Sequence, residues 1–151
     1  MEQAYDDILK IRNNIFTLTP ILASFYSECK QQENNLFLAF VVLPLLFNEE
    51  WLGKKQNIRI DSKLTAWVMD NKFKIEGLPS RIDYFWDITI KCLQYAVDMK
   101  WLSIQGTTIL FNTDKQEWMK SRFYKEQIAN AMNLNKLFKD MKVIEILTIL
   151  G

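Results

Sequence analysis

Histidine is absent from this chain of 151 residues, and cysteine occurs only twice. Without histidine the chain lacks the commonest general base, the serine–histidine and cysteine–histidine pairs of many hydrolases, and any metal site that uses imidazole. Two cysteines far apart in the sequence cannot form a structural zinc site by themselves. Cys29 and Cys92 both fall in apolar, helix-like sequence, which is typical of buried free thiols in a cytosolic protein. These shortages argue against most hydrolases and zinc proteins.

Glycine is also scarce, with four residues, and none of them lies in a phosphate-binding loop. Gly53-Lys54 lacks the upstream glycine and the serine or threonine that such a loop uses. Asp83 and Asp87, with Lys91 nearby, could hold a divalent ion, but we interpret them as a solvated helix face with an Asp87–Lys91 ion pair. The adjacent side chains of Glu49-Glu50 would diverge on a helix. We therefore predict a protein that is not an enzyme and has no metal site and no cofactor.

No hydrophobic run is long enough to cross a membrane. The longest, LFLAFVVLPLLF at 36–47, would span only about 18 Å as a helix, whereas a crossing needs about 20 residues. Because this run has no polar face, we predict a helix at the centre of the core, with a kink or a break at Pro44. The acidic start Met1-Glu2 is not followed by an early apolar run, so we expect no secretory signal and a cytoplasmic location.

Apolar residues make up 49% of the chain, enough for a sizeable core without disulfides or metals. Hydrophobic spacing predicts a mainly α fold: one compact helical domain over residues 1–151 with a single β-hairpin. Thr19-Pro20 is expected to open the second helix as N-cap and first helical residue. The predicted helices cover 5–12, 19–30, 36–47, 61–71, 79–100, 114–132, 134–141 and 142–150, and the predicted hairpin covers 101–112.

The helix predicted over 79–100 carries one narrow polar stripe. Its members recur at steps of three or four residues, the spacing of one helix face: Asp83, Asp87, Lys91, Gln94 and Asp98. The remaining positions are mostly apolar. We therefore expect the rest of the protein to cover this helix on most of its circumference.

The formal net charge is only +1, but its distribution is uneven. Residues 51–100 carry nine basic and six acidic side chains, so this third of the chain is where an anionic partner is expected. Two helices followed by a hairpin also resemble the element order of a winged-helix domain, with Lys54, Lys55 and Arg59 as DNA contacts. Three aspartates on the would-be recognition helix argue against direct DNA reading. A winged-helix regulator or DNA-contacting accessory protein stays the alternative function.

Short apolar motifs follow one another in an order that resembles a known family. They are Asn14 with Thr19-Pro20-Ile21-Leu22, then Phe40-Val41-Val42-Leu43-Pro44-Leu45-Leu46, Trp67, a helix with Arg81, Ile128-Ala129 with Leu137-Phe138, and Ile144-Glu145-Ile146-Leu147 with Leu150-Gly151. This order is similar to the middle component of bacterial three-component ABC systems, the group that includes the small accessory subunit of Lamassu-type anti-phage defence operons. The Val-Leu-Pro-Leu core and the Leu-Gly pair are the most specific parts.

The resemblance implies a non-catalytic adaptor in a bacterial anti-phage defence complex. Such a subunit would bridge or regulate an SMC- or Rad50-like coiled-coil ATPase and an effector, commonly a nuclease, and would meet DNA mainly through the complex. Aromatic residues at the edges of predicted elements, including Trp101, could anchor a protein partner, although ordinary packing at the edge of the core is the favoured explanation for each. The residues expected to face a partner are Trp51, Leu52, Trp118, Leu137 and Phe138.

Overall fold

The computed structural model describes residues 14–48, 58–113 and 125–151. The fold is mainly helical with one two-stranded antiparallel sheet, as the sequence predicts. Among the described residues, no helix is both long enough and apolar enough to cross a membrane. The elements are α1 (Ile15–Glu28), a 3₁₀ helix (Asn35–Leu38), α2 (Ala39–Leu46), α3 (Leu64–Asp70), α4 (Lys72–Ile75), α5 (Leu78–Asp98), β1 (Leu102–Gln105), β2 (Thr108–Phe111), α6 (Lys125–Phe138) and α7 (Val143–Leu150).

Helix α1 begins earlier than the sequence predicts. Asn14 is the N-cap, and its side-chain oxygen accepts hydrogen bonds from the backbone N–H groups of Phe16 and Thr17 at 3.1 and 3.2 Å. Pro20 consequently lies inside the helix, and the prediction that Thr19 is the cap is wrong. The error arose because a Thr-Pro pair is a typical helix start, whereas a well-formed Asn cap lay only five residues upstream.

Most of the apolar run at 36–47 lies in the core, as predicted, although Phe37 is exposed. The run is divided into two segments. The 3₁₀ helix ends at Leu38 and α2 follows directly, so the division comes before Ala39 and not at Pro44, which stands inside α2. The carbonyl groups at the end of α2 find donors outside the helix ladder. Arg81 Nε donates to the Pro44 carbonyl at 2.9 Å, and the side-chain amide of Asn48 donates to the Leu45 carbonyl.

The core lies where α1, α2, α5 and α6 meet. Helix α1 packs against both α5 and α6, and α2 packs against the same two helices and against α1. Every residue of α1 from Leu18 to Tyr26 except Pro20 is buried, and seven of the eight residues of α2 are buried. Helices α1 and α2 therefore share the central position that the sequence assigned to one segment.

Helix α5 is the longest described helix, and its predicted bounds are confirmed within two residues. Gly77 precedes it with φ of +76°, and Pro79 occupies its first turn, where a missing N–H costs little. As predicted, α5 is covered on most of its circumference, because its buried and partly buried residues occupy more than half of it. The exposed side carries Trp86 and Ile90 as well as the polar stripe, and the helices that pack against α5 are chiefly α1 and α2.

The predicted hairpin is confirmed, with Ile104 opposite Ile109 and Gly106 in its turn at φ of +62°. A buried side chain holds its second strand. Asn35 accepts from the Ile109 N–H at 2.6 Å and donates to the Ile109 carbonyl at 3.0 Å, which are the two bonds that a neighbouring strand would supply. The backbone N–H of Leu36 also donates to the Thr107 carbonyl, so the start of the 3₁₀ helix covers this edge of the sheet.

Helix α3 is shorter than predicted, and it packs chiefly against α7, with further contacts to α4 and α6. Helix α5 packs instead against α1 and α2. The two helices that a winged-helix domain would place together therefore pack mainly on different partners, although the order of helices and hairpin is the one noted from the sequence.

The last two helices complete the core. Helix α6 runs without a break through Asn133, so the predicted interruption there is wrong. Helix α7 is confirmed, and its buried residues, Val143, Ile146 and Leu150, dock it on the core. The predicted helix at 5–12, the loop around Gly53 and the start of the helix at Asp114 lie outside the described residues.

Candidate functional site

The residues predicted to face a partner divide into two groups. Trp51, Leu52 and Trp118 lie outside the described residues. Leu137 and Phe138 are only 2% and 6% exposed, and the Phe138 ring meets the ring of Phe25 edge-on at 6.0 Å between centroids. These two side chains therefore belong to the core, and the partner contact assigned to them stays a prediction that their burial does not favour.

Of the three basic residues predicted to contact DNA, the structure describes only Arg59. Lys54 and Lys55 lie outside the described residues, and Arg59 is exposed. Arg81 is half-buried and donates to the carbonyls of Pro44 and Glu76 at 2.9 and 2.8 Å. Burial lowers the pKa of its guanidinium. The Arg81 side chain thus joins α5 to the end of α2 instead of facing a phosphate.

Carboxylate chemistry finds little support in the described ranges. They contain no group of three or more acidic, cysteine or histidine side chains arranged to hold a metal ion. Asp83 and Asp87 are exposed, as predicted for a solvated helix face. The expected ion pair between Asp87 and Lys91 is not formed, although one turn of helix separates them.

Both cysteines are free thiols, as predicted. Burial raises the pKa of Cys92 to about 11. Burial likewise raises the pKa of Cys29 to about 12, with a smaller opposing effect of the Asn35 side chain. Thiols with such values stay protonated near neutral pH, so neither is activated as a nucleophile.

Exposed apolar side chains are the clearest binding feature of the described residues. One group, here called the α5 surface, consists of the exposed Phe37, Trp86 and Ile90 and the half-buried Phe40. The Phe40 and Trp86 rings stack with centroids 4.2 Å apart and an interplanar angle of 27°, and Trp86 and Ile90 are 46% and 47% exposed. Phe37 is exposed one turn before Phe40, and Ile90 lies one turn after Trp86.

A second set of exposed apolar side chains belongs to the chain around α3 and α4. Ile60, Met69 and Phe73 are 69%, 70% and 81% exposed. A shallow cavity of about 390 Å³ opens between the segment 60–65, which leads into α3, and the segment 137–141 at the end of α6. Exposed acidic and basic side chains are interspersed along this part of the surface, among them Asp61, Lys63 and Asp70.

Sequence reasoning missed the α5 surface, although a signal for it was present. At about 100° per residue, Ile90 lies about 20° and Trp86 about 60° around the helix from Asp83, so both border the polar stripe. Positions at the border of a polar stripe become exposed when the helix packs through only one side. The prediction that most of the helix is covered did not separate these border positions from the core.

Comparison with known families identifies the class of protein. The family model for the ABC-three component (ABC-3C) system Middle Component 3 matches residues 3–151. The chain belongs to this family. No curated protein and no solved structure matches it. The middle component is an accessory member of a multi-component ABC-like system, so the resemblance noted from the sequence is confirmed at the level of the family.

Proposed function

We propose that this middle component is a non-catalytic, cytoplasmic adaptor in an anti-phage defence complex of the Lamassu type. It bridges an SMC- or Rad50-like coiled-coil ATPase and an effector, a nuclease, and holds the effector inactive until the ATPase engages DNA. The observation that carries the proposal is the family match over residues 3–151, because a middle component works with the other components of its system.

Two properties of the chain support an adaptor in preference to a catalyst. The sequence contains no histidine, and the described thiols are protonated near neutral pH. Large apolar side chains are exposed on helices that are themselves firmly packed, which is typical of a surface that binds another protein.

The test is reconstitution of the three components from the same system. The full chain is purified alone, with the ATPase component, with the effector component, and with both. We expect it to bind each component separately and all three to form one complex by size-exclusion chromatography with light scattering. We also expect the effector's nuclease activity to depend on the ATPase only when the middle component is present. Nuclease or ATPase activity of the middle component alone would contradict the proposal.

The same preparation separates an adaptor from a protein that contacts DNA directly. An adaptor binds duplex DNA weakly when alone. A direct DNA-binding protein would instead show an affinity that falls steeply with salt and that is reduced by substitution of Lys54, Lys55 and Arg59.

A further inference from the structure

The α5 surface combines a rigid apolar strip with a neighbouring row of carboxylates. The strip crosses two elements that pack against each other, because Phe40 belongs to α2 and Trp86 to α5. Their stacked rings fix both side chains in place. Aromatic side chains held in this way lose little conformational entropy on binding and are typical anchors of protein interfaces.

The carboxylates beside the strip are without partners in the described parts of the chain. Asp83 lies one turn before Trp86 on α5, Asp87 follows Trp86 directly, and both are exposed. Neither forms an ion pair or a hydrogen bond with another described side chain. Asp98, further along the same stripe, accepts a hydrogen bond from Gln94 at 2.9 Å. With Lys91 as the one basic residue of the stripe, this face of α5 is acidic.

We infer that the α5 surface binds a basic amphipathic helix of another component of the system. An apolar ridge on that helix would cover Trp86, Phe40 and Ile90, and flanking arginines or lysines would pair with Asp83 and Asp87. An arginine suits the site especially well, because its planar guanidinium can stack on the Trp86 ring while it donates to a carboxylate. This inference rests on the proposed adaptor function and identifies the surface and the partner chemistry.

Charge complementarity favours such a partner over a second copy of this chain. In a symmetric dimer through the α5 surface, the same patch would meet itself. The acidic row of one copy would then lie close to the acidic row of the other, and like charges brought together at an interface are unfavourable. A helix with basic residues beside its apolar ridge neutralises the row instead.

The experiment measures binding of the purified full chain to each purified component, at low and high salt. Trp86→Ala removes the aromatic anchor, and the double change Asp83→Lys with Asp87→Lys reverses the charge of the row without altering the core. We expect each variant to weaken binding to one component by about thirty-fold, the effect of losing a central interface residue. We also expect the association rate of the unchanged chain to fall with salt, and that of the charge-reversed variant to lose this dependence.

Matched controls come from the region around α3. Asp61→Lys with Asp70→Lys makes the same change of charge on exposed residues elsewhere, and Met69→Ala removes a side chain that is more exposed than Trp86. We expect both controls to bind the component that the α5 variants lose as tightly as the unchanged chain does. Circular dichroism and urea unfolding verify that all four variants are folded.

Each outcome decides a separate question. If the unchanged chain binds neither component, the proposed function fails and this inference fails with it. If it binds but the α5 variants bind equally well, the adaptor function stands and the α5 surface is not its interface. If the unchanged chain is a dimer and Trp86→Ala dissociates it, the α5 surface binds a second copy of this chain and the inference is overturned. Loss of binding with the controls but not with the α5 variants would likewise overturn it.

Discussion

Helices α2 and α5 pack against each other, yet they use their apolar residues differently. In α2 all residues but Phe40 are buried, so nearly the whole helix is devoted to the core. In α5, one side is buried through residues such as Phe85, Cys92 and Ala96, while Trp86 and Ile90 remain exposed. Hydrophobicity alone therefore does not assign a residue to the core. Apolar side chains that the fold leaves exposed are available for binding.

Removing a buried leucine from α2 should have the largest effect. Leu43 has no exposed surface, so Leu43→Ala creates a cavity, and we expect the free energy of unfolding to fall by about 3 kcal/mol. Ile90→Ala on the exposed side of α5 is the matched control and should cost less than about 1 kcal/mol. Urea unfolding measures both. Equal losses would mean that α5 is packed as completely as α2, and the contrast between the two helices would not hold.

Asn35, the buried polar residue at the start of the 3₁₀ helix, should contribute nearly as much to stability as a core leucine. Asn35→Leu removes the two hydrogen bonds to the Ile109 backbone and leaves those buried groups without partners, which should cost about 2 kcal/mol. Thr107→Val is the control, because it removes only an exposed hydrogen bond to Asn34 and should cost less than about 0.5 kcal/mol. Unchanged thermal stability of Asn35→Leu would show that the hairpin does not depend on this side chain.

The stability of the chain should be sensitive to replacement of Gly77, the glycine that precedes α5. Gly77 has φ of +76°, so Gly77→Ala forces a Cβ into the left-handed region, at an expected cost of about 1 kcal/mol. A Cβ at this position would meet Arg81 Nη1 at an ordinary 3.5 Å, so the cost comes from the backbone conformation and not from a clash. Gly77→Asn should recover part of the loss, because asparagine tolerates positive φ. If both variants unfold at the same denaturant concentration, this reason is incorrect.

The smallest predicted effect concerns the buried thiol of α5. Since burial raises the pKa of Cys92 from 9.0 to about 11, the unfolded chain loses this proton at a lower pH than the folded chain does. The stabilisation that the protonated Cys92 gives to the folded chain is complete below pH 9 and is lost as the pH rises toward 11. At pH 9.5 the free energy of unfolding should be lower by somewhat less than about 1 kcal/mol. Urea unfolding from pH 8 to 10 should therefore show a shallower decline for Cys92→Ala. An equal decline of stability with pH in the unchanged chain and in Cys92→Ala would contradict a raised pKa of Cys92.

Much of the fold could be predicted because long periodic segments determine it. The run at 36–47 has no polar face and had to be buried, and the helix of α5 and the hairpin at Gly106 carry strong local patterns. Boundaries failed where two signals competed, as at Asn14 and Thr19. Asn133 did not end α6 because contacts of that helix with α1 outweigh a weak local preference.

The candidate site was harder to predict. Leu137 and Phe138 were assigned to a partner because of their hydrophobicity, and the fold buries them. Trp86 was not singled out among the apolar residues of α5, and the fold leaves it 46% exposed. Which side of an amphipathic helix is covered depends on its tertiary neighbours, and local sequence does not contain that information. The pairing of Phe40 with Trp86 joins residues 46 positions apart, so only the structure could show it.

Hydroxyl-radical footprinting of the assembled complex tests the central claim most directly, because it reports the solvent access of individual side chains without any substitution. The measurement compares oxidation of Trp86 with oxidation of Met69 and Phe73, in the chain alone and in complex with the one component whose binding Trp86→Ala weakens. We predict that oxidation of Trp86 falls on assembly while Met69 and Phe73 stay as reactive as they are in the free chain. Unchanged oxidation of Trp86 in a complex that protects Met69 and Phe73 would show that the partner binds around α3 and α4, and would contradict the account.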